Sequence, residues 1–343
     1  MYVVILAGGN GKRLWPVSNC SVPKPFLKIK NNLSLLQNTI IRASKIRNLS
    51  KIIIVANSKY IKNVVEDCKN LSVTLDIEII VEHYTKNTTA AIAAAAIYIE
   101  SIYGPNNNIL VLPCDHIISK EGVFYENIDK LNSRKLVSLT LFGIPPTSNN
   151  SSYGYIKYQD NKVLSFIEKP NKKDTINFVQ SGNYLWNSGI IYAEVSVLLK
   201  EIKHHSYNTW NLITRAIHNS VTSYGSGYKE IRLRKESTLN IIEDSIDYEI
   251  LQKSNNLNVI KCDIGWKEIG DLNSFCNAIT TDINDNNIYG NATAYNTSNC
   301  YIQSKEKCII TVGVNNLLVV ETDDKIFVVD KNITPNFLSE SIK

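Results

Sequence analysis

A glycine-rich loop directly after the first apolar strand is the segment of the sequence best suited to chemistry. The apolar run Tyr2–Ala7 leads into three glycines and two cations, at Gly8, Gly9, Gly11, Lys12 and Arg13. Glycines permit positive φ angles and bring backbone N–H groups close to a ligand, and such a nest at the carboxyl end of a parallel strand suits phosphate oxygens. The planar guanidinium of Arg13 also matches phosphate. The spacing is neither the dinucleotide fingerprint nor a P-loop, so phosphate binding and a plain glycine-rich turn both stay open.

Two further positions have side chains suited to phosphate chemistry. Lys24 stands between Pro23 and Pro25, which restrict the backbone and hence the volume that its ammonium can search. A cation held in this way can stabilise charge on a reacting phosphate, although a solvated loop lysine gives the same pattern. Asp115 follows the apolar run Asn108–Leu112, where a strand-end carboxylate can hold Mg²⁺ in a ligand crevice or cap a helix.

The elements that must position these residues alternate between two periodicities. Apolar runs of strand length alternate with helical patterns, the strands at Tyr2–Ala7, Lys51–Ala56, Ile77–Val81 and Asn108–Leu112 and the helices at Leu35–Ile46, Lys59–Lys69 and Thr88–Ile102. Alternating β and α units predict an α/β fold with a Rossmann-like, mostly parallel sheet flanked by helices on both faces. The alanine stripe Ala93–Ala96 predicts a helix face in close core packing.

The pattern of residue types changes after Asp282. Short strand signals dominate from Tyr153 to Ala193, and helices return at Val195–Asn219. Beyond residue 283, Asn-rich turns separate short strands and helical periodicity is absent. We therefore predict two domains, residues 1–283 and residues 284–343, of which the second is a small all-β domain.

Composition and charge exclude several classes of protein. Apolar residues make up 44% and charged residues 20% of the 343 residues, as in an ordinary globular protein. The formal charge of +5 comes without a dense Lys/Arg block, so no nucleic-acid partner is expected. No run approaches the ~20 apolar residues of a membrane span. Seven cysteines without a C-x-x-C pair indicate reduced thiols. We expect a cytoplasmic protein without a membrane partner.

The order of the motifs resembles that of the sugar nucleotidyltransferase family. G-G-x-G-x-R-L at 8–14 and Pro-Lys-Pro-Phe-Leu at 23–27 are similar to its N-terminal signature, and Leu14-Trp15-Pro16 with Ser18 resembles its mannose-1-phosphate guanylyltransferase branch. Further similar segments follow in the family's order, at 86–92, 113–116, 153–156, 166–170, 187–190, 245–249 and 265–270. The strands around 311–314 resemble the β-helical tail of this branch, so the resemblance covers nearly the whole chain.

This resemblance implies a nucleotidyltransferase fold with a C-terminal domain like a left-handed β-helix. It implies a Mg²⁺-dependent reaction of GTP with mannose 1-phosphate that yields GDP-mannose and pyrophosphate, and a homodimer to which the tail contributes. It also assigns the site. Arg13 and Lys24 are catalytic; Leu6, Ala7, Gly8, Gly9, Gly11, Lys12, Asn87 and Thr88 bind the nucleotide; Tyr153, Gly154, Tyr155, Glu168, Lys169 and Asn187 bind the sugar phosphate; and Asp115 and Glu268 bind the metal.

Two residues depart from the family pattern. Glu268 stands where the second metal ligand is usually Asp, and Lys12 stands where Ser or Thr is usual. If Glu268 is not a ligand, Asp263 or Asp271 becomes the candidate. Three alternatives stay open: a transferase for another pair of substrates (glucose 1-phosphate with dTTP, or a heptose phosphate with GTP), a uridylyl- or cytidylyltransferase, and a non-catalytic regulatory homologue. An oxidoreductase would need a dinucleotide fingerprint that the chain lacks.

Overall fold

The computed structural model describes residues 1–9, 11–19, 22–71, 76–279 and 281–332. Cys20 and residues 333–343 of the predicted second domain lie outside the described residues. The chain forms two compact units. The first unit contains residues 1–8 and 39–266, and the second contains residues 9–38 and the chain from Lys267 onward.

The bounds of the regular elements follow the chain in order. The strands are β1 Tyr2–Leu6, β2 Lys28–Lys30, β3 Leu33–Ser34, β4 Lys51–Asn57, β5 Ile77–Glu82, β6 Asn108–Pro113, β7 His116–Ile118, β8 Leu139–Ile144, β9 Tyr155–Gln159, β10 Lys162–Ile167, β11 Tyr184–Glu194, β12 Val221–Gly225, β13 Tyr228–Arg232, β14 Leu257–Lys261, β15 Trp266–Glu268, β16 Asn287–Tyr289, β17 Ala292–Tyr295, β18 Tyr301–Gln303, β19 Ile309–Val312, β20 Leu317–Glu321 and β21 Ile326–Asp330. The α-helices are α1 Leu35–Ser44, α2 Ile61–Lys69, α3 Asn87–Tyr103, α4 Glu121–Asn132, α5 Lys172–Ser181, α6 Val195–His205, α7 Tyr207–His218, α8 Lys235–Thr238 and α9 Leu272–Cys276.

A mixed sheet of eleven strands is the framework of the first unit. Its order is β12-β13-β5-β4-β1-β6-β11-β8-β14-β10-β9, and the run from β13 to β6 is parallel throughout. In this run Leu6 is level with Val55 of β4 and with Pro113 of β6. The carboxyl ends of β1, β4 and β6 therefore meet at one edge of the sheet. The predicted Rossmann-like α/β sheet is confirmed.

The core of the first unit explains why its central strands read as continuous apolar runs. Ile52–Val55 and Ile109–Leu112 are buried, as expected where helices cover both faces of a sheet. Helix α3 is buried along most of its length, and every alanine from Ala90 to Ala96 lies in the core. Small side chains let this helix approach its neighbours closely, so the predicted packing role of the alanine stripe is confirmed.

Among the described residues of the first unit, three helices were not predicted, α4, α5 and α8. Helix α5 interrupts the segment for which short strands were expected. The side chain of Asn171 accepts a hydrogen bond from the N–H of Asp174 and caps its start, and Gly182 with φ of 71° ends it. The signals for α5 are therefore its caps, because its helical pattern is weak.

The second unit ends in the β tail, which we define as β16–β21, residues 287–330. Parallel ladders join β16 to β18 to β20 and β17 to β19, with Ile302 level with Val319 and Ala292 level with Ile309. Parallel strands that succeed one another without helices form β-helix-like coils, and the apolar residues Cys300, Ile302, Ile309 and Val319 fill them. The last strand, β21, pairs antiparallel with β20. The all-β tail is confirmed.

The bounds of the compact units do not coincide with the change in residue pattern at residue 283. The second unit takes in the glycine-rich loop region, residues 9–38, together with residues 267–283 and the β tail. The pattern of residue types along the sequence reports local structure only, whereas a compact unit is defined by contacts between distant parts of the chain. Separately, none of the helices among the described residues combines the length and the apolar character that a membrane crossing requires.

Candidate functional site

Three residues of the first unit, Gly8, Glu82 and Asp115, lie at or just beyond the carboxyl ends of its parallel strands. Gly8 lies two residues beyond β1, Asp115 lies two residues beyond β6, and Glu82 is the last residue of β5. The N–H of Ala7 still bonds to the carbonyl of Val55 at 2.9 Å, so the chain stays in the sheet up to Gly8. Ligands of open α/β sheets bind at this edge.

Glu82 is a buried carboxylate beside the glycine loop. Its side chain is 5% exposed, and a Cβ atom added to Gly8 would lie 3.7 Å from its Oε2 atom. Burial raises the pKa of Glu82 to about 8, because water no longer solvates its charge. A carboxyl group that is costly to bury and adjacent to a candidate ligand loop is typical of a functional site.

The start of helix α3 lies five residues beyond Glu82 and holds Asn87 and Thr88. Asn87 is exposed and has a φ of 67°, and its Oδ1 accepts the N–H of Thr88 at 2.8 Å. The Oγ1 of Thr88 accepts the N–H of Ile246 at 2.9 Å. The side chain of Asn87 is therefore the accessible one of the pair, and Thr88 ties the helix start to the 245–249 segment.

The backbone around Asp115 is fixed on both sides by helix α1. Thr39 donates its hydroxyl to the carbonyl of Cys114 at 3.2 Å, and Arg42 donates to the carbonyl of His116 at 3.3 Å. Arg42 is 3% exposed, and burial lowers its pKa to about 10. The carboxylate of Asp115 is 23% exposed and lies 3.7 Å from His116 Nε2. Asp115 is thus a partly accessible acid on a rigid turn.

Gly154, Glu168 and Asn187 come together in the first unit. The N–H of Asn187 bonds to the carbonyl of Gly154 at 2.8 Å. A Cβ atom at Gly154 would lie 2.6 Å from Glu168 Oε2 and 3.3 Å from Asn187 Cβ. Only glycine leaves room for this approach, so three segments far apart in sequence place a carboxylate and an amide side by side.

The amide of Asn187 and the amine of Lys169 belong to a network around Asp247. Asn187 donates to Asp247 at 2.8 Å and accepts the N–H of Gly189 at 3.1 Å. Lys169 donates to Glu168 at 2.7 Å. Burial opposes the charge of Lys169, but the hydrogen bond and charge of Glu168 outweigh it and raise the pKa of the amine. Burial and then the Glu168 carboxylate raise the pKa of Asp247 to about 6.

The two predicted tyrosines are placed differently. The ring of Tyr153 lies edge-on to Trp186 and to Trp266, each at 5.1 Å between centroids. Tyr155 has no exposed surface, and its hydroxyl donates to the carbonyl of Asn150 at 3.0 Å. The side chain of Tyr155 is therefore enclosed by the protein, where its ring packs against Phe178 with 5.4 Å between centroids. The assignment of Tyr155 to the sugar phosphate stays a prediction.

In the second unit, the glycine loop and Lys24 are in close contact. Gly11 has a φ of 66°, and a Cβ atom there would lie 2.5 Å from Ser18 Oγ and 2.6 Å from Lys24 Cβ. Gly11 therefore has two reasons to be glycine, the backbone angle and the close approach. Lys24 is 8% exposed and opens a short 3₁₀ turn after Pro23, as the flanking prolines predict.

The cations of the loop remain open to solvent. Lys12, Arg13 and Leu14 form one 3₁₀ turn, in which Lys12 and Arg13 are exposed and Leu14 is buried. Gly9 is also exposed. The buried leucine anchors the turn while both cations stay accessible to an anionic ligand.

Glu268, also in the second unit, lies close to Gly270. A Cβ atom at Gly270 would lie 3.5 Å from Glu268 Oε1, an ordinary van der Waals distance, so the carboxylate of Glu268 is not crowded from this side. Both alternative ligands have other partners. Asp263 forms an ion pair with Lys120, which lowers the pKa of the aspartate, and Asp271 caps helix α9 in a capping box.

Asp115 and Glu268 each have the chemistry of a ligand for a hard cation. Among the described residues, no group of three or more His, Cys, Asp or Glu side chains is arranged to hold a metal. Mg²⁺ is usually held by one or two carboxylates together with substrate phosphates, without an all-protein cage. Asp115 and Glu268 are carboxylates of this kind.

Two buried carboxyl groups were missed by the sequence reasoning. Glu82 ends β5, which already contains another acid, Glu78, so its position in the sequence gave no distinct signal. Asp247 stands in the Ser245–Glu249 segment that carried the resemblance but was given no role. Its contacts with Asn187 and its proximity to Glu168 are tertiary and leave no mark on the local sequence.

Comparisons with known proteins show the family of the chain. Residues 2–285 match the family model described as nucleotidyl transferase, and residues 290–336 match the model of a MannoseP isomerase/GMP-like beta-helix domain. A mannose-1-phosphate guanylyltransferase of Escherichia coli is 32% identical over 97% of this chain and 73% of its own length. One from Salmonella muenchen is 34% identical over 96% of this chain and 70% of its own length.

A crystal structure supports the fold. It is described as that of mannose-1-phosphate geranyltransferase from Thermus thermophilus, and its alignment covers 99% of this chain and 97% of that chain with a TM-score of 0.77. The identity of 22% makes this a likeness of fold. The family model spans most of the chain, and the curated relatives match nearly all of it. The chain therefore belongs to the nucleotidyl transferase family, in the group represented by the mannose-1-phosphate guanylyltransferases.

Proposed function

We propose that this protein joins mannose 1-phosphate to GTP, releasing pyrophosphate and forming GDP-mannose. Relatives with that activity in their names support the reaction class. The observation that carries the choice of nucleotide is the buried carboxyl of Glu82 beside Gly8.

Glu82 has the chemistry to recognise guanine. The edge of guanine presents two adjacent donors, N1–H and the 2-amino group, and a carboxylate accepts both. Adenine has an acceptor at N1 and would face the carboxylate with a lone pair. Asn87, exposed at the start of α3, would contact the same nucleotide. Buried polar groups of this kind discriminate strongly because the wrong base leaves them unpaired.

The carboxyl of Glu82 also sets where the phosphates lie along the loop. Phosphate oxygens would be repelled by a carboxylate next to Gly8, so Gly8 would face the base or ribose. The exposed Gly9, Lys12 and Arg13 would take the triphosphate, with Arg13 on the departing pyrophosphate. Lys12, in place of the usual Ser or Thr, would add a charge where the family has a hydroxyl.

The reaction is attack by an oxygen of the sugar 1-phosphate on the α-phosphorus of GTP. No covalent protein intermediate is needed, and catalysis comes from alignment and from neutralising charge. Lys24, buried and fixed by Gly11, would stabilise charge at the α-phosphoryl group. Mg²⁺, held by Asp115 and Glu268, would supply further neutralisation of phosphate charge when bound.

The network at Gly154 has the groups that a sugar phosphate requires. Both ends of the Asn187 amide are held, which leaves one N–H to donate in a fixed direction. Glu168 would accept from sugar hydroxyls, and Lys169, above the ring of Tyr248 at 5.9 Å, would neutralise the phosphate. Mannose and glucose differ in the orientation of one hydroxyl, so a fixed amide and carboxylate are the means by which this site would separate them.

A homodimer would use the β tail. Tyr295 of β17 and Val312 of β19 are paired in register and more than half exposed, and Ile310 lies on the same face. Exposed apolar side chains that share a face are typical of an interface. Ile310→Asp should lower the molecular mass measured by ultracentrifugation from dimer to monomer. Reactions with a phosphorylated sugar and GTP also fit the cytoplasmic location that we expect.

The nucleotide assignment is tested with three triphosphates and one variant. Wild-type protein should use GTP best, ITP about 10- to 100-fold less well because it lacks the 2-amino group, and ATP least. Glu82→Gln should reduce this order to a small preference, while Glu66→Gln, on the outer helix α2, should preserve it. Equal kcat/KM values for GTP and ATP in the wild type would contradict the role of Glu82 in base selection.

A further inference from the structure

The glycine loop and the β tail belong to the same compact unit, although more than 250 residues separate them in sequence. The clearest contact is aromatic. The ring of Trp15, directly after the turn that carries Arg13, lies edge-on to Phe327 of β21 with 4.5 Å between centroids and 73° between planes. Phe327 is buried and is held in register by Val320 of β20.

Two other contacts join the same segments. Helix α9 packs against the 3₁₀ turn of Lys12–Leu14, and the hydroxyl of Tyr289 in β16 donates to the carbonyl of Lys28 at 3.4 Å. Leu14 has no exposed surface. The loop is therefore supported from the C-terminal part of the chain at three points, at the turn, at Trp15 and at Lys28.

These supports act on the residues that would meet the triphosphate. Arg13 is two residues before Trp15, so a shift of the Trp15 ring moves the turn that carries the guanidinium. Gly11 is in contact with Ser18 and Lys24, so the same shift is transmitted to the buried amine. Misplacement by about 1 Å far from the reacting atoms can cost as much as 10²-fold in rate.

We propose that Phe327 is a positioning residue for the glycine loop, acting through Trp15, so that the β tail is part of the nucleotide-binding machinery. This inference rests on the proposed function for the identity of the loop's ligand. It goes beyond an interface role for the tail, because it predicts an effect on GTP within each chain.

The test is a double-mutant cycle in the full-length chain. Phe327→Ala and Trp15→Ala should each raise the KM for GTP, and the Kd for GTP titrated without sugar phosphate, by about 10-fold, the scale of one aromatic pair together with the loop order it maintains. The KM for mannose 1-phosphate should stay within about twofold. The double variant should be no worse than either single variant, because both remove the same contact. Phe327→Tyr should restore wild-type values.

Val328→Ala is the matched control, because Val328 is the next residue of β21 and is 62% exposed. It should leave both KM values unchanged. If an alanine variant does not fold, as judged by melting temperature, Phe327→Leu and Trp15→Leu replace the alanine variants, since they remove the edge-on pair and keep apolar volume. Additive effects in the cycle, or equal changes in both KM values, would overturn the proposal and leave the tail as a stabilising domain. A wild type that neither binds nor uses GTP would instead contradict the proposed function.

Discussion

The proposed sugar-phosphate end, formed by Glu168, Lys169, Asn187 and Asp247, is built in a different way from the glycine loop. At the sugar-phosphate end, polar side chains hold one another through hydrogen bonds, as in the bonds from Asn187 to Asp247 and from Lys169 to Glu168. In the loop, position comes from a left-handed glycine and from apolar packing, as in the contact of Trp15 with Phe327. A polar network fixes the direction of hydrogen bonds, whereas packing fixes the place of a backbone and its cations. We therefore expect the first region to control affinity for the sugar phosphate and the second to control both GTP binding and turnover.

The largest effect should come from Asp115, the carboxylate that we propose as a ligand of Mg²⁺. Asp115→Asn should give a protein whose activity, once removed by EDTA, is not restored by Mg²⁺. Glu268→Gln tests the second ligand and should raise the Mg²⁺ concentration that half-maximal activity requires. Asp263→Asn is the control, because Asp263 pairs with Lys120, and it should behave as wild type. Full activity with unchanged Mg²⁺ dependence in Glu268→Gln would place the second ligand elsewhere.

Removing the buried cation of the loop should give the next largest effect. Lys24→Ala should lower kcat by about 10²-fold or more, the scale of one aligned electrostatic group, with little change in the KM for mannose 1-phosphate. Lys30→Ala, which removes an exposed lysine of the same unit, should leave kcat unchanged. Steady-state kinetics with a pyrophosphate readout measure both. Near wild-type turnover in Lys24→Ala would contradict the proposal that the glycine loop controls turnover.

A single methyl group at Gly154 should change the KM for mannose 1-phosphate without changing the KM for GTP. Gly154→Ala places a Cβ atom against Glu168 Oε2, so the carboxylate must move. We expect the KM for mannose 1-phosphate to rise by about 10-fold, the scale of a hydrogen bond to a charged group, with the KM for GTP unchanged. Gly122→Ala is the control, because its Cβ would meet no atom within 4 Å. An equal rise in both KM values would show that the two regions are not independent.

The smallest effect should be a pH dependence of the affinity for GTP. The pKa of Glu82 is about 8, above its ordinary value of 4.5, so the carboxylate that accepts from guanine forms mainly above pH 7. The affinity for GTP should rise about 8-fold from pH 7 to pH 8.5 in the wild type, and Glu82→Gln should remove this component. Affinity that falls over this range in the wild type would contradict the assignment.

The same raised pKa has a consequence for stability. Because the folded state holds the Glu82 proton more tightly than the unfolded state, the protein loses stability as the pH rises from about 4.5 through 8. Glu82→Gln should therefore melt at a higher temperature than wild type at pH 8, and the difference should shrink towards pH 5.

The sequence predicted the sheet well because its signals are local. The strands β1, β4, β5 and β6 are apolar runs of the right length, and α3 has its alanine stripe, so their bounds were found to within a residue or two. The burial of Tyr155 did not show in the sequence, because alternation along a strand does not say which residues are enclosed when both faces of the sheet are covered. Side-chain partners such as Asp247, and the association of Trp15 with Phe327, arise from segments far apart and have no local pattern.

The most direct test of the account is the identity of the product. Purified protein with Mg²⁺, GTP and mannose 1-phosphate should form GDP-mannose and pyrophosphate in equal amounts, followed by ³¹P NMR and mass spectrometry. Glucose 1-phosphate with dTTP, and each mixed pair, should react at kcat/KM values lower by orders of magnitude in the nucleotide and by a smaller factor in the sugar. Comparable rates with dTTP and glucose 1-phosphate would contradict the guanylyl assignment. Absence of product with every pair would contradict the proposal that this chain is an enzyme.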